Sequence, residues 1–169
     1  GNIPFVSRPP ATPMRIVDVL RHTTGFTYSF QERSNIDAAY RNTDVESWNK
    51  NNSDSFIKTL SQIPLEFDPG TQWNYSVSTD VLGVLIERIS GLSLPDYFQQ
   101  NVFAPLGMTD TFFTVPTDKT ARVPQCFVYD PETKMKLFDE AGASSLWAKG
   151  WSFNSGGGGL ASTVSDYHR

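Results

Sequence analysis

Residues 69–91 read Pro69-Gly70-Thr71-Gln72-Trp73-Asn74-Tyr75-Ser76-Val77-Ser78-Thr79-Asp80-Val81-Leu82-Gly83-Val84-Leu85-Ile86-Glu87-Arg88-Ile89-Ser90-Gly91. The first part is a Pro-Gly turn that delivers a tyrosine; the second reads as an amphipathic helix over 79–90. Leu82, Leu85, Ile86 and Ile89 recur at helical spacing, Ser78 or Thr79 supplies a capping hydroxyl, and Gly91 supplies the stop. Tyr75 therefore falls just before a helix N-terminus. The partial positive charge there favours an anionic neighbour and makes a phenolate less costly than elsewhere. By residue type alone the same tyrosine also fits a buried structural role.

Working outward, a second helix follows at once. Ser93 and Asp96 match a capping box, Leu94, Tyr97, Phe98 and Val102 supply a buried face, and Pro105 and Gly107 end it. Upstream, Thr12 reads as the cap of a helix with Pro13 in its first position and Ile16, Val19 and Leu20 on one face, stopped by Gly25. Ser34 opens a helix with Ile36, Ala39 and Tyr40 on its stripe, and a segment around Phe56, Leu60 and Ile63 stops at Pro64. Before all of these, Pro4, Pro9, Pro10 and Pro13 predict an extended arm. Downstream of Thr111 the pattern turns to short β pieces. Cys126–Tyr129 and Met135–Phe138 flank the turn residues Asp130-Pro131-Glu132-Thr133. Gly156 to Gly159 then lead into Leu160-Ala161-Ser162-Thr163.

The 169 residues, 38% hydrophobic and 19% charged, read as globular and about one domain in size. Eighteen acidic against 14 basic side chains leave a net charge of -4, which argues against a surface built to neutralise phosphates. One cysteine, Cys126, excludes an internal disulfide, and with two histidines it is too little for a ligand-rich zinc site; no metal and no cofactor are implied. No apolar run approaches the roughly 20 residues that span a bilayer. The start at Gly1 has no charged or apolar leader and reads as a cut end.

Several segments invite a chemical reading. A serine nucleophile needs a base beside it. Ser47 to Lys50 and Ser55 to Lys58 each match S-x-x-K, but both lie in polar stretches with no preceding buried strand and read as coincidental. His22, at the end of a helix, reads as a residue hydrogen-bonding loose carbonyls, and no G-x-S-x-G elbow is present. The glycine run lacks the Lys-Ser or Lys-Thr of a phosphate cradle and reads as a close-packed backbone passage. Trp147, Trp151 and Phe153 read as core aromatics.

Four blocks together resemble the serine β-lactamase and penicillin-binding-protein superfamily, in particular class C β-lactamases and β-lactamase-like esterases. They are Met14 to Gly25 with His22-Thr23-Thr24-Gly25, Pro69 to Gly91 with Tyr75, Val102 to Thr111 with Pro105-Leu106-Gly107-Met108-Thr109-Asp110, and Gly157 to Tyr167 with Gly159-Leu160-Ala161-Ser162-Thr163. The resemblance implies an α+β, mainly helical chain: a helical lobe plus short β pieces of a β-lactamase/transpeptidase-like fold, incomplete here. It divides into an arm at 1–12, a helical lobe with the tyrosine loop at 13–111, and a hairpin and glycine-rich return segment at 112–169.

The same resemblance implies acyl-enzyme chemistry on esters or β-lactams by a serine and lysine in S-x-x-K, a tyrosine in a Y-x-N-like motif, and a later K-T-G-like motif. Tyr75 matches the second. The family's serine precedes the Met14 block, so Ser47 and Ser55 stand in the wrong place, and this chain reads as the central part of a larger hydrolase, inactive alone. Val77 stands where many lactam-processing members have Asn. With Val77, Phe26 and Tyr28 as substrate-binding residues, an ester preference is expected. Expected partners are a small ester or β-lactam and the remaining polypeptide or a second copy, with no nucleic acid and no membrane span; a bacterial-type cytoplasmic or periplasmic setting is left open. The alternatives are a catalytically idle binding or scaffolding domain and an unrelated small α+β domain.

Overall fold

The computed structural model describes residues 5–169, so Pro4 and the beginning of the expected arm lie outside the described residues. Residues 5–10 carry no regular secondary structure. The Asp68 carboxylate holds this stretch, accepting from both Arg8 guanidinium nitrogens at 3.1 and 2.6 Å and from the Ala11 amide at 2.9 Å. The fold is α+β and mainly helical, with one two-stranded antiparallel sheet among the described residues. Its contacts divide the chain into two compact units. One runs up to Leu94 and includes Ser152–Gly158; the other is Pro95–Trp151 with Gly159–Arg169.

In the first unit, α1 (Ile16–Leu20) is shorter than its sequence predicts. Its N-cap is Arg15, whose amide donates to the Asp18 carboxylate at 2.9 Å, while the Thr12 hydroxyl donates to the Pro69 carbonyl instead. Five residues cannot turn a whole stripe inward, so Val19 is buried and Ile16 and Leu20 face solvent. The chain then turns through His22, at a left-handed φ of 56°. Helix α2 (Asn35–Thr43) follows the sequence closely. The Ser34 hydroxyl accepts from the Asp37 amide and the Asp37 carboxylate accepts from the Ser34 amide, a reciprocal cap. Helix α3 (Ser53–Leu60) turns Phe56 and Leu60 inward. With Ala39, Tyr40, Val45, Ile63, Val77 and Val84 they enclose Phe153, which stacks on Phe56 at 4.8 Å.

Helix α4 (Ser78–Ser90) ends on Gly91 as expected, but its buried face differs. Asp80, Gly83 and Val84 point inward, whereas Ile89 is exposed and Leu82, Leu85 and Ile86 are half-buried. The reason is the neighbour: α4 packs on the glycine-rich backbone at 155–158. A Cβ on Gly156 would come within 2.4 Å of the Thr79 carbonyl oxygen, so only glycine permits this approach. The expected hydroxyl cap is also displaced. Val77 is the N-cap residue, and the Ser78 hydroxyl bonds Thr24 and Ser76 instead.

In the second unit the expected single helix is broken. Helix α5 (Leu94–Phe98) widens into a π-helical turn at Gln99–Phe103, and α6 (Ala104–Leu106) closes on Gly107. The extra residue per turn rotates the face, so Phe103 is buried and Val102 only half-buried. The predicted hairpin is present. Strands β1 (Cys126–Asp130) and β2 (Lys134–Asp139) pair with Phe127 opposite Leu137 and Tyr129 opposite Met135, and the Asp130 carboxylate accepts from the Glu132 and Thr133 amides in the turn. Helix α7 (Leu146–Lys149) and helix α8 (Val164–Tyr167) complete the unit. From α8, Asp166 accepts from the Asp110 amide and the Thr111 hydroxyl.

Candidate active site

The tyrosine loop runs alongside residues 22–27. The Asn74 amide donates to the His22 carbonyl at 2.9 Å and the Val77 amide to the Thr27 carbonyl at 3.3 Å. In such an extended stretch side chains alternate. Asn74 and Ser76 are buried, and Trp73 and Tyr75 project outward, Tyr75 being 47% exposed. Asn74 is locked below by its amide on the Phe26 carbonyl and on Glu66, and Gln31 donates to the Tyr75 carbonyl at 2.6 Å. The loop thus presents a phenol from a rigid base immediately before α4, as the sequence predicts.

Around Tyr75 stands a row of aromatic rings. Phe30 stacks on Tyr28 at 5.0 Å, Tyr28 packs on Tyr75 at 5.1 Å, His22 on Tyr75 at 5.2 Å and Trp73 on His22 at 6.3 Å. Beneath them runs a chain of hydroxyls: His22 Nδ1 to Ser76 at 3.3 Å, Ser76 to Ser78 at 2.8 Å, Ser78 to Thr24 at 3.1 Å. Burial pushes the His22 imidazolium below its ordinary range, which keeps the ring neutral near pH 7. Two carboxylates lie behind the row, Asp80 buried and Glu46 half-buried. Glu46 accepts from the Ser29 amide and hydroxyl at 2.6 and 2.8 Å, and Asp80 accepts from the Ser155 hydroxyl at 2.5 Å and the Gly157 amide at 3.2 Å. Burial raises both above the usual carboxylate range, against the pull of these donors.

Of the residues singled out in the sequence, the structure brings Tyr28 and Tyr75 together and separates the others. Val77 is 1% exposed and sits in the apolar core, because the backbone turns helical there and carries its side chain inward. It has no surface with which to meet a substrate. Phe26 packs against the core and lines a groove of about 770 Å³ with Met14, Ile36, Leu60 and Pro64, a lining that does not include Tyr75. The two S-x-x-K serines are not paired with their lysines. Lys50 reaches Asp44 at 2.6 Å, and the Ser55 hydroxyl serves the start of α3, accepting from the Asn52 amide. Asp80, Ser155 and Glu46 were not singled out in the sequence. Asp80 looks like any acidic residue in a first helical turn, and only Ser155 beside the glycine run carried a hint of close approach.

The Beta-lactamase family profile matches residues 2–169 of the chain. Protein Rv1367c of Mycobacterium tuberculosis is 32% identical over 163 residues, covering 96% of this chain and 39% of that protein. Lovastatin esterase of Penicillium rubens is 33% identical over 116 residues, covering 68% of this chain and 28% of the esterase. Among solved structures, unliganded simvastatin synthase (LovD) from Aspergillus terreus superposes with a TM-score of 0.70 at 27% identity, over 95% of this chain and 37% of that one. The chain therefore spans about two fifths or less of the length of these relatives.

Proposed function

This chain belongs to the Beta-lactamase family, and from that premise we propose that it forms the tyrosine-bearing central part of a serine hydrolase or acyltransferase that works through an acyl-enzyme and favours esters over β-lactams. The observation that carries the reading is Tyr75, half-exposed, rigidly backed and at the N-terminal end of α4; by resemblance it matches the family's tyrosine motif. In the proposed reaction a serine hydroxyl from an S-x-x-K outside this chain attacks the substrate carbonyl. Tyr75 takes the serine's proton and returns it to the departing alkoxide, and water later releases the acyl group. The row of rings beside Tyr75 and the name of one relative, lovastatin esterase, support the ester preference. Val77 no longer does, since it is buried.

In the longer polypeptide, Tyr75→Phe keeps the ring and removes one oxygen; kcat on a short p-nitrophenyl ester is expected to fall on the order of 10² to 10⁴. Turnover within about threefold of wild type would return Tyr75 to a structural role. The 169-residue chain itself, treated with a fluorophosphonate, is expected to stay unlabelled at Ser47 and Ser55.

A further inference from the structure

The chain of hydroxyls beneath Tyr75 has a direction. Thr24, Ser76 and Ser78 are each 0% exposed, so each of their protons needs an acceptor within the protein. At one end the Thr24 oxygen accepts from the Phe26 amide at 3.0 Å, a donor that cannot be reversed; its other partner among the described residues is the Ser78 hydroxyl at 3.1 Å. Thr24 therefore donates to Ser78, Ser78 donates to Ser76 at 2.8 Å, and Ser76 donates to His22 Nδ1 at 3.3 Å. The opposite direction would put a proton on Nδ1 and leave the Thr24 hydroxyl with no acceptor among the described residues. A buried hydroxyl without a partner makes that arrangement roughly five- to 150-fold rarer.

With Nδ1 an acceptor, the proton of the neutral ring sits on Nε2. The two nitrogens lie on roughly opposite edges of an imidazole, so an Nδ1 turned in toward buried Ser76 turns Nε2 outward. His22 is half-buried, and its ring lies beside those of Tyr75 and Trp73, with centroids 5.2 and 6.3 Å away. Nε2 makes no hydrogen bond among the described residues. His22 also holds a left-handed φ of 56°, a costly conformation for a residue with a Cβ, while its carbonyl accepts from the Asn74 amide at 2.9 Å. Its backbone and the tyrosine loop thus share one frame. We propose that His22 is a specificity-determining residue of this site: the hydroxyl chain fixes it as the Nε2–H tautomer, and that N–H binds an acceptor oxygen of the substrate beside Tyr75. A fixed N–H offers nothing to an ammonium or an amide donor, so the favoured substrates are esters with an ether, carbonyl or carboxylate oxygen near the scissile group. The place of His22 in substrate binding rests on the acyl-transfer reading; its tautomer does not.

The tautomer is read in the 169-residue chain without substrate, by long-range ¹H–¹⁵N correlation of His22 at a pH where the ring is neutral, with exposed His168 as internal reference. The ratio of Nε2–H to Nδ1–H at His22 should exceed that at His168 by about tenfold or more. Ser76→Ala removes the donor to Nδ1 and should bring the two ratios within about threefold of each other. Ser78→Ala leaves Ser76 in place and should keep the excess, since reversal would then strand the Ser76 proton. A wild-type His22 that carries its proton on Nδ1 or shares it as His168 does, or an excess that survives Ser76→Ala, would overturn the proposal. The wild-type spectrum decides even if a variant fails to fold. In the longer polypeptide, kcat/KM is compared for matched ester pairs in which one CH2 of the acyl chain, or of the alcohol chain, is replaced by oxygen. The oxygen-to-methylene ratio of at least one pair should fall about three- to tenfold in His22→Phe and recover in part in His22→Gln, whose carboxamide can still donate. Ratios unchanged to within about 1.5-fold in both pairs would remove His22 from substrate binding. An indifferent Tyr75→Phe enzyme sinks the acyl-transfer reading and leaves the tautomer standing, whereas an Nδ1–H His22 sinks this inference whatever the turnover.

Discussion

An asparagine at position 77 would set a carboxamide among Tyr40, Phe56, Val84 and Phe153, in a core cluster whose members are almost wholly enclosed. Val77→Asn forfeits apolar burial and leaves polar atoms to find partners in that core, so a loss of about 2 to 4 kcal/mol is expected, visible as a lower urea midpoint at unchanged m-value. No relative gain on a cephalosporin should accompany it, since the side chain has no path to the surface. A Val77→Asn protein as stable as wild type would mean that this part of the core opens readily. At this scale Tyr75 was legible because a turn, an extended stretch and a helix start are all local in sequence. Its neighbour Tyr28 was legible only as an aromatic residue, since the ring contact that sets it beside Tyr75 joins residues far apart in the chain.

Elements whose ends are fixed by adjacent residues came out where the sequence put them: α2 behind its Ser34 cap, and the β1–β2 hairpin around Asp130. Those fixed by packing did not. The apolar stripe of α4 suggested one buried face, but a buried aspartate and the glycine-lined approach of 155–158 rotate the helix toward Asp80, Gly83 and Val84. Tertiary contact overrode periodicity there, and nothing within 78–90 announces it. Gly156→Ala tests that packing. With a backbone oxygen 2.4 Å from the new methyl, the helix and the segment must separate, and a destabilisation of about 2 kcal/mol or more is expected in denaturant melts. A change within about 0.5 kcal/mol would show that the approach is loose. The π turn in α5–α6 was likewise unreadable, since one inserted residue leaves the apolar composition unchanged.

For the whole molecule, individual acidic side chains set part of the response to pH. Glu46 is raised by burial, so the folded state binds its proton more readily than the unfolded chain does. Its contribution to stability is therefore greatest below the unfolded value, near 4.3, and declines as pH rises through the raised folded value. Glu46→Gln removes that decline: the stability of the variant relative to wild type should increase as pH rises above about 4.5, measured as the difference in urea midpoints. A flat difference would mean that Glu46 is solvated in solution. Asp110 has the opposite sense. Arg122 and Lys119 hold it down at about 2, so its share is lost only in strong acid. One further consequence concerns the order of synthesis. The chain leaves the first unit after Leu94 and re-enters it at Ser152, and the Ser155–Asp80 bond spans 75 residues. On a ribosome, Tyr75 and Tyr28 emerge early, yet the buried carboxylate behind them stays without its hydroxyl, and Phe56 without Phe153, until most of the chain has been translated. The nascent first unit should accordingly remain open to proteases and chaperones through the whole excursion from Pro95 to Trp151, and acquire its protection in a single late step.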